Sequence, residues 1–297
     1  MKVACVFFLF LFFSTSISIK GLTANNSLKN CYTLEKVNSK RKNKKDSTVS
    51  TYLQKWILPP VLSEISGIAF IDTTILACVQ DESGVIYIYD LTLSEIINEI
   101  KFAQAGDYEG ITIAGEDAWV LRSDGKLFQV ENFQSSKPDV KDIQLNFNQE
   151  QNLEGICYDK KNNRLLILPR TFDTPDSTYK GIYSYNLITG EFSKEPIYKI
   201  DLNHELLTKK KQKKKKKESL IPSGIAIHPY TENIYIIDAK NAQVVILDKE
   251  GEIKQLIHLN KKVFPKTEGI AFTENGEIFL SNEEKKQSPN ILKVRLQ

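Results

Sequence analysis

Five residues with oxygen-bearing side chains, Ser66, Glu109, Glu154, Ser223 and Glu268, each stand immediately before a glycine in a phrase that recurs along the chain. Its copies are Ser66-Gly67-Ile68-Ala69-Phe70, Glu109-Gly110-Ile111-Thr112-Ile113, Glu154-Gly155-Ile156-Cys157-Tyr158, Ser223-Gly224-Ile225-Ala226-Ile227 and Glu268-Gly269-Ile270-Ala271-Phe272. Repetition puts the five at equivalent points of five structural units, where they should form a ring. Three carboxylates drawn together repel one another and resist ionisation unless a cation neutralises them. The donors are all oxygen, with neither His nor Cys among them, which suits a hard ion. The flexible shell of calcium, roughly six to eight oxygens, fits such a ring better than the tight octahedron of magnesium.

The elements that must carry this ring follow from the spacing. The glycines stand 43, 45, 69 and 45 residues apart, and a period in the low forties is the length of one four-stranded propeller blade. In a propeller the opening strand of each blade lies nearest the axis, so the residues at its start face one another across one mouth of the central channel. The glycine lets five backbones crowd inward with no side chain in the way. An all-β, five-bladed β-propeller is the expected fold.

Within each period the pattern reads as strand and turn alternating. In the first blade the strands are expected at 67–70, 75–79, 85–89 and 95–102, with turn chemistry in Asp72-Thr73-Thr74 and Asp81-Glu82-Ser83-Gly84. The last blade runs out of chain after three strands, while Tyr52 to Leu58 forms an orphan strand before the first repeat. Pairing that strand into the last blade would close the ring and cover an open edge. The long 69-residue interval is too short for two blades; the stretches 171–180 and 209–217 account for its surplus.

Because the second strand of a blade runs antiparallel to the first, the loop after it emerges beside the ring. These loops carry Asp81 and Glu82, Arg122 with Asp124, Arg170, Asp238 with Lys240, and Glu283 with Glu284. A metal ringed by acids, with Arg122 and Arg170 nearby and Asp81, Glu82 and Glu283 around it, could hold a phosphorylated small molecule. The arginines would bind its oxygens in forked geometry while the metal activates water. The plainer reading makes these charges ordinary turn and blade-edge residues. Cys78 and Cys157 fall inside apolar strands and read as buried thiols. His204, His228 and His258 share no ligand spacing, and no nucleotide-binding glycine loop or serine nucleophile elbow is present.

The chain has 297 residues, 41% hydrophobic and 26% charged, enough for one substantial core. Residues 1–24 read as a secretory signal peptide: Lys2, an apolar run from Val3 to Phe13, then small residues. An uncleaved membrane anchor is the alternative, and an exported, periplasmic or cell-envelope location follows from either. Residues 25–51 are polar and basic and read as a tether, leaving 52–297 for the propeller. Residues 209–217 hold eight lysines, without which the formal charge of +3 would become −5. An acidic body with a basic surface insertion is the expectation; no aromatic residues interleave with these lysines to stack on bases, so nucleic acid is not an expected partner.

Several stretches resemble the bacterial SdiA-regulated family: Glu64-Ile65-Ser66-Gly67-Ile68-Ala69, Gly106-Asp107-Tyr108-Glu109-Gly110-Ile111, Val120-Leu121-Arg122-Ser123-Asp124-Gly125, Pro222-Ser223-Gly224-Ile225-Ala226-Ile227-His228-Pro229 and Ser281-Asn282-Glu283. The resemblance runs from about Tyr52 to the C-terminus. It implies an exported or membrane-attached propeller, with calcium-linked and phytase-like roles proposed for relatives. A more distant likeness is to calcium-activated apyrases, five-bladed propellers whose channel ion is held by a Ser, Glu, Glu, Ser, Glu series. Ser66, Glu109, Glu154, Ser223 and Glu268 are similar to that series, and Asp81-Glu82-Ser83-Gly84-Val85-Ile86-Tyr87 and Leu168-Pro169-Arg170 look like apyrase segments. Gly67 stands where apyrases carry an acidic residue, which argues against nucleotide hydrolysis. Two functions are thus expected: a calcium-binding propeller with a binding or scaffold role, or a calcium-dependent phosphohydrolase.

Overall fold

The computed structural model describes residues 46–49, 51–147, 152–171, 178–211, 214–217 and 220–296. The signal peptide expected over 1–24 and most of the tether expected over 25–51 lie outside them, as does most of the loop at 171–180. The described chain is all β apart from one 3-10 turn at Pro60–Leu62. Among the described residues no helix is long and apolar enough to cross a membrane.

Five antiparallel sheets form the blades, and their innermost strands are Ile65–Phe70, Tyr108–Ala114, Leu153–Asp159, Gly224–Ile227 and Thr267–Phe272. Each inner strand begins within two residues of its repeat glycine and adjoins the inner strand of the next blade. The fifth adjoins the first. Blade one continues outward through Ile75–Gln80, Val85–Asp90 and Glu95–Lys101, and blades two and three repeat that order. In blade five, Gln54–Ile57 lies outermost and antiparallel to Asn290–Val294, with Lys55 opposite Leu292. Its Trp56 packs on Phe279 and donates its indole N–H to the Leu91 carbonyl of blade one at 2.7 Å. At the end of the stretch read as a tether, Asp46–Val49 adds a parallel fifth strand outside Ile253–Leu259 of blade four, and Val49 is buried there. The lysine-rich insertion is a short hairpin, Thr208–Lys211 against Lys214–Lys217, separate from the blade sheets. Backbone pairing thus gives the expected surface insertion its own local order.

The repeat glycines have a more specific task than general crowding. A Cβ on Gly110 would come within 2.9 Å of Ile156 Cγ2, and one on Gly155 within 2.9 Å of Ile225 Cγ2. On Gly224 it would meet the Glu268 carbonyl oxygen at 2.5 Å, and on Gly67 the backbone of Gly110 and Ile111 at 2.9 Å. The circle closes at Gly269, where a Cβ would lie 3.1 Å from Ile68. Each blade's glycine therefore makes room for the next blade's inner strand. The isoleucine of each phrase, Ile68, Ile111, Ile156, Ile225 or Ile270, is buried in this circle. Between the blades lie apolar layers, such as the one uniting Ala77, Val79 and Ile86 with Ile111, Val120 and Phe128. Together the belt and these layers hold the inner strands at fixed angles around the axis.

Candidate functional site

Four of the five ring residues occupy the same backbone irregularity. The pairing of the first two strands of a blade shifts between Ile65 and Gly67, between Tyr108 and Gly110, between Leu153 and Gly155, and between Thr267 and Gly269. The residue skipped is Ser66, Glu109, Glu154 or Glu268. Each is the extra residue of a β-bulge, a device that re-aims a side chain and ends regular pairing. In blade four Ser223 precedes the inner strand, its N–H bonded to the Ile237 carbonyl at 2.9 Å. All five residues line one narrow cavity on the axis, of about 20 Å³.

The two serines also tie blades together. Ser66 Oγ donates to the Tyr108 carbonyl at 2.6 Å, and Ser223 Oγ to the Thr267 carbonyl at 3.0 Å. With the hydroxyl protons so engaged, the oxygen lone pairs remain available to a cation. Glu154 is 2% exposed and accepts from Arg170 Nη1 at 2.7 Å. Glu268 is 12% exposed and lies 3.7 Å from Lys266 Nζ, which pairs more closely with Glu283.

Burial raises all three ring carboxyls. Glu109 is held well above the ordinary range by burial first and then by the charges of Glu154, Asp107 and Glu268. Glu154 is raised by burial against the opposing pull of Arg170. Glu268 is pushed up to about 8, by burial and then by Glu283, with Lys266 opposing. Three ring carboxyls face two neighbouring cations, Arg170 and Lys266, and resist full ionisation without a further positive charge.

The loop residues separate into distinct groups. Asp81 and Glu283 come together with Glu64, their carboxylate oxygens all within 4.8 Å of one another. Burial and like charges push Asp81 up to about 6, and burial takes Glu283 to about 7. Among the described residues this is the set of three acids gathered so tightly; the ring glutamates stand further apart. Glu82 is exposed. Arg122 is engaged in a forked pair with Asp124, Nε to Oδ1 at 2.9 Å and Nη2 to Oδ2 at 2.7 Å. Arg170 lies beside the ring, on Glu154. Asp238 is buried and closes its own turn, accepting from the backbone and side chain of Asn241 at 2.9 and 2.7 Å.

Glu64, Asp107 and Lys266 went unassigned in the reading of the sequence, yet all three stand three residues before a repeat glycine. The same period that marks the ring marks this second tier. Cys78 and Cys157 are buried free thiols, with burial holding both above the ordinary range. His228 Nδ1 accepts from the Tyr230 and Thr231 N–H groups at 3.2 and 3.3 Å, a turn-closing role.

The architecture has counterparts among solved structures. The crystal structure of Myxococcus xanthus glutaminyl cyclase superposes with a TM-score of 0.61 at 14% identity, covering 85% of this chain and 98% of that one. A streptogramin B lyase structure aligns with a TM-score of 0.46 at 12% identity, covering 82% and 98%. At 14% identity the likeness to the cyclase is one of fold alone. No curated protein matches the chain. The family model described as SdiA-regulated matches residues 42–292, which takes in all five blades and every ring residue, and the chain therefore belongs to the SdiA-regulated family.

Proposed function

We propose that this chain is a calcium-binding propeller of the cell envelope that serves as a binding or scaffold protein. The observation that carries the proposal is the convergence of Ser66, Glu109, Glu154, Ser223 and Glu268, one from each blade, on a single axial cavity. The donor set fits a hard divalent ion: it is all oxygen, and its carboxylates are buried, mutually repulsive and under-neutralised. Calcium bound there would supply the missing positive charge and tie five blades to one point. Glu109, Glu154 and Glu268 would be its charged ligands, and Ser66 and Ser223 would add neutral oxygens. The envelope location rests on the sequence, Lys2 followed by the apolar run to Phe13.

A binding role is favoured over phosphohydrolysis by the state of the two arginines. Arg122 has its fork on Asp124 and Arg170 has a nitrogen on Glu154. A phosphate ester would have to compete with a carboxylate at each.

Calorimetric titration with calcium on the full chain and on Glu109→Gln, Glu154→Gln and Glu268→Gln tests the reading. One ion per chain is expected, bound more weakly in each variant. Equal affinity in all four proteins, or no binding in any, would refute the ring as a metal site. Phosphatase assays on the same samples should show no calcium-dependent turnover.

A further inference from the structure

The inner strands end at a second mouth, opposite the ring, where the channel opens into a funnel of about 1190 Å³. That is room for a small organic molecule; ligand pockets commonly measure about 300 to 1,000 Å³. Its floor is the isoleucine belt, whose five members line both the funnel and the narrow ring cavity and so separate one from the other.

Above the floor, the position three residues after each repeat glycine supplies Phe70, Ile113, Tyr158, Ile227 and Phe272. All five line the funnel, and all five are only half-buried. Strand alternation accounts for the collar: residues two apart share a face, so the side chain after the buried isoleucine on that face comes next along the axis. Each of the five packs on one side against a blade core and leaves its other side toward the funnel, apolar surface that an apolar occupant would bury.

The rim decides the charge of that occupant. Arg164 Nε is 2.8 Å from Asp159, Lys161 Nζ is 2.8 Å from Glu232, and Lys249 lies 3.7 Å from Glu250. Arg164 also donates to the Tyr198 hydroxyl at 3.3 Å. Lys160 and Glu274 also stand on the rim, so four basic side chains there, with Lys161, Arg164 and Lys249, meet four acidic ones, with Asp159, Glu232 and Glu250, and a charged head group finds no net attraction. We infer that the funnel is a binding site for an uncharged, predominantly apolar small molecule, held by the Phe70, Ile113, Tyr158, Ile227 and Phe272 collar and independent of the ion ring.

Fluorescence titration of the full chain with N-phenyl-1-naphthylamine, a neutral apolar probe, tests this. Saturable one-to-one binding is expected, unchanged by a calcium chelator and by Glu154→Gln. Ile113→Lys and Ile227→Asn, each checked for cooperative melting, should weaken it by roughly tenfold or more, because a polar group then stands in the apolar wall. Competition on the parent protein asks the charge question without any mutation: 1-octanol should displace the probe at lower concentration than octanoate. No saturable binding, or binding that both folded variants retain, overturns the site. Stronger displacement by octanoate overturns its neutral character, and probe binding lost in Glu154→Gln overturns its independence from the ring.

Discussion

The two ends of the same five inner strands could hardly differ more. At their starts the channel is narrow, of about 20 Å³, and walled by buried acids with raised carboxyl pKa values. At their ends it widens to about 1190 Å³ behind an apolar collar. Four residues separate a ring glutamate such as Glu154 from its collar counterpart Tyr158. A regular strand would carry both on one face, since side chains four apart point the same way. The β-bulge at the ring residue breaks that rule. One inserted residue in four of the five blades, with Ser223 placed ahead of its strand in the other, gives one strand set two chemistries, with the isoleucine belt as the partition.

The sharpest way to break the contrast is to spoil the partition itself. In Gly224→Ala the new Cβ would lie 2.5 Å from the Glu268 carbonyl oxygen, a backbone atom with no rotamer in which to retreat. A stability loss of about 3 kcal/mol is expected, at the upper end for overpacking, measured as a shift of the denaturant midpoint. Both ends should suffer together, since the belt fixes both.

Calcium should act on one end alone. An ion that binds only the folded state stabilises it by about 2.7 kcal/mol at a hundredfold excess over its dissociation constant. Calcium should therefore raise the melting temperature of the parent visibly and that of Glu154→Gln much less, while probe binding in the funnel stays constant.

Acidity gives a smaller effect with a definite sign. Glu268 titrates near 8 in the folded chain against an ordinary 4.5, so the folded state holds a proton that the unfolded state has released. Stability contributed by that proton is complete below about pH 4.5 and is lost as pH rises toward 8. In chelator, melting temperature should fall across this window. Glu268→Gln should flatten the fall, and saturating calcium should do the same; a melting temperature that rises with pH in chelator would refute the assignment.

The smallest effect is expected away from both mouths. Replacing residues 209–217 with a short Gly/Ser linker should change stability by no more than about 0.5 kcal/mol, the usual scale for surface changes, because this hairpin pairs with no blade. Calcium and probe affinities should be unchanged.

Much of this was legible in the residues. A glycine-isoleucine phrase returning at 43 to 45 residues, with one long interval, gives five four-stranded blades, because that spacing suits little else. Five equivalent positions around a closed ring must converge, so Ser66, Glu109, Glu154, Ser223 and Glu268 could be placed on one axis from the repeat alone. Their place inside apolar strands likewise marked Cys78 and Cys157 as buried. Tertiary structure decided the rest. Whether Arg122 meets Asp124 or a ligand, and whether Arg170 meets Glu154, depends on which side chains adjacent turns bring within about 3 Å, and repeat spacing carries no such information. Glu64, Asp81 and Glu283 meet only because blade five returns to blade one, across more than 200 residues of chain. The bulge that turns Ser66, Glu109, Glu154 and Glu268 from the collar's face is likewise a matter of pairing register, settled between two strands and visible in neither one alone.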